Sequence, residues 1–178
     1  MKTTGATVEE HGTAFKGRFF QLDVDRVRLP SGHTATLEVI RHPGSVVIIP
    51  MPSQTEVILI RQYRYAIDRW IWELPAGTLK PSEDPVAGAA RECEEEIGLV
   101  PQSLTRIGAF YPTPGFCDEV MIFYRCSELQ PPTKDSTVRK DEDEDLEPRM
   151  FTLSEAQRLI ETGEIVDMKT VVGLGLVK

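Results

Sequence analysis

The stretch Gly77–Leu99, GTLKPSEDPVAGAARECEEEIGL, constrains this chain more than any other part of it. Ser82, Glu83 and Asp84 followed by Pro85 read as a helix start, because a short polar side chain caps free backbone N–H groups and proline is tolerated in the first turn. The spacing predicts a helix that runs to about Ile97 and stops at Gly98. At roughly 100° per residue, Val86, Ala89, Ala90, Cys93 and Ile97 share one arc, expected to pack on a core, and Glu92, Glu95 and Glu96 share the neighbouring arc. Like charges three and four positions apart destabilise a helix by about 0.2–0.5 kcal/mol per pair, so a cation is expected to compensate them. Arg91 lies beside Glu95 and within reach of the loop carrying Glu83, so it can tie loop to helix, yet one guanidinium cannot neutralise three carboxylates. A hard divalent cation can: Mg²⁺ takes oxygen ligands and sits between carboxylates and substrate phosphates. Gly77, after Pro75 and Ala76, lets the backbone turn tightly enough for a main-chain carbonyl to join such a site. A solvated acidic face is the usual meaning of a charge run, but it accounts neither for the spacing of Gly77, Glu83 and Gly98 nor for Arg91. The fixed identities at fixed spacing have a chance probability on the order of one in a million.

The stretch resembles the signature of the Nudix hydrolases, Gly-x5-Glu-x7-Arg-Glu-U-x-Glu-Glu-x-Gly-U with U aliphatic, at every fixed position. Cys93 stands where the family prefers a larger aliphatic residue, a change that costs packing and touches no carboxylate. The resemblance implies metal-dependent hydrolysis of the pyrophosphate in a nucleoside diphosphate linked to another group. It makes Glu92, Glu95, Glu96 and the Ala76 carbonyl ligands of Mg²⁺, with Mn²⁺ as a possible substitute. Gly77, Glu83, Arg91 and Gly98 become its structural members.

Further motifs narrow the resemblance. VILIRQYR at Val57–Arg64, WELPAG at Trp72–Gly77, YPTPGFCDE at Tyr111–Glu119 and the acidic run Asp141–Glu147 together are similar to the ADP-ribose pyrophosphatase branch and its relatives that cleave other nucleotide sugars. Pro114, about sixteen residues beyond the signature, is a marker associated with that branch. By the same resemblance Arg64, Glu119 and Gly115 contact substrate, and the acidic run holds the catalytic base, with Glu144 favoured and Glu142 and the adjacent aspartates as competitors. Several carboxylates crowded near a phosphate raise the proton affinity of one of them, which suits a general base. Glu95 is carried as catalytic as well as metal-binding. The branch implies a homodimer whose N-terminal strands reach the partner's site, which brings Phe19, Phe20 and the neighbourhood of Arg41 and His42 into view without a firm motif. Trp70 and Trp72 are more often core or interface anchors than stacking platforms. Two alternatives stay open: a catalytically silent Nudix-like nucleotide-sensing module, and a Nudix enzyme acting on another nucleoside diphosphate derivative.

A net charge of −8 and a pI near 5.0 argue against nucleic acid and anionic membrane as partners, where clustered Lys and Arg are expected. No apolar run is long enough to span a bilayer. Three cysteines without metal-ligand spacing fit a reduced, cytoplasmic setting. Residues 1–16 are expected as a loose tail, 17–44 as an antiparallel strand pair (17–28 and 33–41) that forms the dimer, and 45–178 as the hydrolase domain. The predicted class is α/β, the Nudix fold: an α/β/α sandwich with a central mixed β-sheet. Strands are expected at 45–50, 56–62, 105–111 and 119–126. A mobile segment is expected over 131–147, a helix from Thr152 to near Gly163, and a last helix after Asp167.

Overall fold

The computed structural model describes residues 5–134, 136, 138 and 146–177, which divide into two compact units. The first holds the residues up to Gly44 together with Tyr111–Val120. Its strands β1 (Thr7–Lys16), β2 (Gln21–Arg28) and β3 (Thr34–Arg41) form an antiparallel sheet in that order. Along β2, Asp23, Asp25 and Val27 are buried in alternation, the period of a strand with one covered face. The Pro30-Ser31-Gly32 turn joins β2 to β3, with Gly32 at φ 88° and its N–H bonded to Leu29 O at 2.8 Å.

The expected loose stretch is corrected over Thr7–Lys16, which is a strand. TVEEHGTAFK has no apolar alternation and is exposed throughout, so its strand character comes from the ladder to β2, from Thr7 opposite Arg28 to Lys16 opposite Gln21. The strand expected from residue 17 starts at Gln21 instead, because Gly17–Phe20 form the connecting turn, closed by Gly17 N–H on Phe20 O at 2.9 Å.

The second unit comprises Ser45–Phe110 and the residues from Met121 onward. Strands β4 (Ser45–Pro50), β5 (Glu56–Arg64), β6 (Arg69–Glu73) and β7 (Ala76–Thr78) precede helix α1 (Pro85–Ile97). Then come β8 (Val100–Phe110), β9 (Met121–Gln130), β10 (Leu146–Thr152), α2 (Leu153–Glu161) and α3 (Met168–Leu176). One sheet runs β7-β4-β9-β8 and a second β10-β5-β6. β4 is buried at every residue, pairs parallel with β9 and antiparallel with β7, and so makes the sheet mixed.

The two faces of β4 feed two cores. Val46 and Ile48 pack with Ala89 and Cys93 of α1 and with Tyr124 and Cys126. Val47 and Ile49 pack with Leu74, Phe123, Ala156 of α2, Ile165 and Leu174 of α3. Helices therefore cover both faces of one mixed sheet, and the α/β/α sandwich stands as expected. Trp72 joins the second core, edge-on to Phe151 with ring centroids 4.9 Å apart.

α1 begins and ends where its sequence says. Asp84 caps it by accepting from Val86 N–H and Ala87 N–H at 2.9 and 3.2 Å, and Gly98 closes it in the left-handed region at φ 69°. Its buried face is rotated from the expected one: Val86 is 45% exposed, whereas Glu92 and Glu96 are buried beside Ala89 and Cys93. Likewise Thr152 caps α2 with a reciprocal Glu155 bond, and Asp167 caps α3. No helix among the described residues is long and apolar enough to cross a membrane.

Candidate active site

Two buried carboxylates define the site, and the strand β7 explains how they are accommodated. Glu92 and Glu96 point from α1 toward β7 and are 8% and 3% exposed. At Gly77 a Cβ would run into the Glu92 carboxylate, so the glycine is the space that this side chain occupies. One residue earlier, Ala76 N–H donates to Glu96 Oε2 at 3.1 Å. Carboxylates set this deep need compensating hydrogen bonds and positive charge around them.

Arg91 gathers the rest of the signature. Its Nε and Nη2 bond the two oxygens of Glu83 at 2.8 and 2.9 Å, a bidentate pair that fastens the loop to the helix. The same guanidinium reaches Glu92 Oε1 at 2.6 Å and Glu95 Oε2 at 2.5 Å through Nη1. Bonding to Arg91 is the chief reason the Glu83 carboxyl is pulled down to about 2; the Lys80 N–H at 2.9 Å adds to it, and partial burial opposes it. The Glu83 bond in turn drives the Arg91 pKa upward against its own desolvation.

Beside this helix, Arg64 at the end of β5 makes a second bidentate pair, Nε to Glu73 Oε1 at 2.7 Å and Nη2 to Glu73 Oε2 at 2.9 Å. Glu73 is 1% exposed and is also bonded by the buried Lys169 of α3, which reaches Asp167 Oδ2 at 3.1 Å. Burial is the largest single influence on the Arg64 pKa and lowers it, but the Glu73 bond and the negative charges of Glu73, Asp167 and Glu96 together outweigh it and raise the pKa. The sequence reading missed Glu73, Lys169 and Asp167 as a group. The available signal was a lone carboxylate in the apolar run WIWELP and a lone lysine in the apolar final helix, since either charge, once buried, needs an opposite partner.

The second unit thus brings together Ala76, Gly77, Glu83, Arg91, Glu92, Glu95 and Glu96, with Arg64 feeling the charge of Glu96. Gly115 and Glu119 belong to the first unit, where Glu119 Oε1 lies 3.7 Å from His42 Nδ1. That ring nitrogen accepts the Gly44 N–H at 3.1 Å. Glu142 and Glu144 lie outside the described residues. Among the described residues, His11, Asp23 and Asp25 bring three ligand atoms within 4.8 Å of one another. Arg41 already occupies that cluster, bonded to Asp23 at 3.2 Å and Asp25 at 2.8 Å. Of the signature carboxylates, Glu92 and Glu95 meet on Arg91 Nη1, while Glu96 accepts the Ala76 N–H.

The donor set on α1 is all oxygen, two of its carboxylates are buried, and a glycine keeps the space beside one of them open, which suits a hard divalent cation. The family model described as NUDIX domain matches residues 41–170. The chain belongs to the Nudix family. The ADP-ribose pyrophosphatase of Bacillus subtilis (strain 168) is 38% identical over 156 residues, 88% of this chain and 83% of that protein. The methanol dehydrogenase activator of Bacillus methanolicus is 38% identical over 160 residues, 90% of this chain and 85% of that protein. A crystal structure of an ADP compounds hydrolase superposes with a TM-score of 0.82 at 22% identity, covering 97% of this chain and 92% of that one, and supports the Nudix fold.

Proposed function

We propose that this Nudix protein hydrolyses the pyrophosphate bond of ADP-ribose or a related nucleoside diphosphate sugar, releasing a nucleoside monophosphate and a sugar phosphate. The observation that carries the reading is the complete carboxylate flank of α1, with Glu92 and Glu96 buried against β7 and Arg91 locking the Glu83 loop to it. The likeness to an ADP-ribose pyrophosphatase over most of both chains supports the substrate class. With ADP-ribose the products are AMP and ribose 5-phosphate.

Glu92, Glu95, Glu96 and the Ala76 carbonyl hold Mg²⁺, for which Mn²⁺ can substitute. When bound, the cation neutralises charge on the diphosphate and acidifies water beside it. Arg64 supplies a further positive charge to the diphosphate, held in orientation by Glu73. Glu119 and the Gly115 backbone contact substrate, and a carboxylate of the acidic run, Glu144 with Glu142 as competitor, takes the proton of the attacking water. Water adds to one phosphorus as the bridging phosphoanhydride bond breaks. The strands within residues 17–44 serve a homodimer, and the three free thiols fit a cytoplasmic setting.

A nucleotide-sensing module without turnover is the second reading. The relative described as an activator of another enzyme favours it, while the retention of every signature carboxylate speaks against it.

The deciding experiment is a panel of nucleoside diphosphate sugars and dinucleotides compared by kcat/KM with Mg²⁺, Mn²⁺ and neither, with products identified. More than about tenfold preference for ADP-ribose places the chain in the ADP-ribose branch, and similar rates across sugars make it a broad nucleotide-sugar hydrolase. Nucleotide binding without cleavage under any metal overturns the enzymatic reading.

A further inference from the structure

Inside the first unit, the end of β3 is zipped to the segment Phe116–Asp118. Ile40 N–H donates to Phe116 O at 2.8 Å and Asp118 N–H donates to Ile40 O at 3.1 Å, a parallel bridge about Ile40 and Cys117. The Asp118 carboxylate is then held at both oxygens. Oδ1 accepts the His42 N–H at 2.8 Å, and Oδ2 accepts Arg41 Nη1 at 3.2 Å.

Arg41 is itself fixed from below, by Asp23 through Nε and Asp25 through Nη2. Those two carboxylates are buried and further braced: Gln21 and Thr13 donate to Asp23 at 2.6 and 3.0 Å, and the His11 ring bonds Asp25 at 2.6 Å. A guanidinium presents its donors in a rigid planar fork, so three carboxylates on one fork define where the third must sit. On the other side of the segment, Phe116 N–H and Cys117 N–H both turn onto Thr113 O, at 3.3 and 3.1 Å, and a Cβ on Gly115 would meet nothing within 4 Å. The loop therefore has a local turn at its start and the Asp118 anchorage at its end.

That anchorage adds little to stability, because the Arg41 and Asp118 side chains are each 42% exposed and such pairs contribute weakly. Its product is a fixed position one peptide bond before Glu119. We propose that Arg41 and Asp118 are positioning residues that orient Glu119, and the loop from Gly115, toward the substrate. The inference rests on the assignment of Glu119 to substrate contact made above.

The test is steady-state hydrolysis of ADP-ribose with Mg²⁺ by the wild type, D118A, D118N, E119A and the D118A/E119A double variant, with thermal midpoints measured in parallel. D118A leaves Arg41 its two buried partners, so the fold is expected to hold. KM should rise about tenfold in D118A with kcat changed less than about threefold, and D118N, which keeps an oxygen facing the His42 N–H, should fall between D118A and wild type. Because Asp118 acts through Glu119, the double variant should match E119A alone. A D118A KM within about twofold of wild type, beside an E119A variant whose KM rises, overturns the positioning role and leaves the Glu119 assignment standing. A D118A effect that adds in full to that of E119A also overturns it. If E119A itself leaves KM unchanged, the substrate assignment of Glu119 falls and this proposal falls with it.

Discussion

Arg64 and Glu73, on adjacent strands but four positions apart in the ladder, are joined by two side-chain hydrogen bonds of 2.7 and 2.9 Å, with Lys169 bonding the same carboxylate from α3. The buried acid thus receives two cations from two different elements, and the orientation of the more exposed one, Arg64, follows from the burial of the other two groups.

Glu73→Ala should therefore destabilise the protein by about 3–5 kcal/mol, since it leaves Lys169 buried without its main partner. Urea unfolding at neutral pH reads this directly. A loss below about 1 kcal/mol would show that the triad is not holding β6 to α3.

Glu96→Gln preserves the shape and the acceptor for Ala76 N–H while removing one charge from the flank. Turnover of the preferred nucleotide sugar with Mg²⁺ is expected to fall by at least about a hundredfold, with the far-ultraviolet circular dichroism unchanged. Near-normal turnover would refute the metal assignment on α1.

Gly77→Ala introduces a methyl group where the Glu92 carboxylate lies. Either β7 or the side chain must move, so the variant should fold with a loss of about 1–3 kcal/mol and bind Mn²⁺ at least about tenfold more weakly, by calorimetric titration. Unaltered Mn²⁺ affinity would mean that the placement of Glu92 does not matter to the cation.

Glu83 has its carboxyl lowered from 4.5 to about 2 in the folded chain, so its contribution to stability is complete above about pH 4.5 and is lost as pH falls toward 2. Glu83→Gln should cost about 2–3 kcal/mol at pH 7, and the gap from wild type should close on acidification through that window. Denaturant unfolding at a series of pH values measures it. A gap that persists unchanged to about pH 2.5 would contradict the Arg91–Glu83 lock.

The signature helix was legible because each of its parts obeys a local rule: Asp84 caps, Pro85 opens, Gly98 ends, and the glutamate spacing follows the turn of the helix. Val46–Ile49 announced a buried strand by apolar run alone. What the sequence could not announce depends on distant pairing. β1 is exposed at every position and exists through its ladder to β2. β7 has three residues, too few for any period, and owes its place to β4. The burial of Glu92 and Glu96 in place of Val86 reverses the polarity rule on which the expected face rested, and the reversal falls on the proposed cation-binding flank. Glu73 and Lys169 meet across 96 residues of sequence, so each charge in its apolar run signals the need for a partner while the identity of that partner comes only from the fold.

The parallel partnership of β4 with β9 sets a timetable for biosynthesis. Residues 45–50 leave the ribosome long before residues 121–126, and α1 emerges between them. Half of the hydrophobic bed under that helix, Tyr124 and Cys126, therefore arrives after the helix itself. The nascent acidic segment completes its docking only once the later strand closes the platform, a contact that spans a long stretch of sequence.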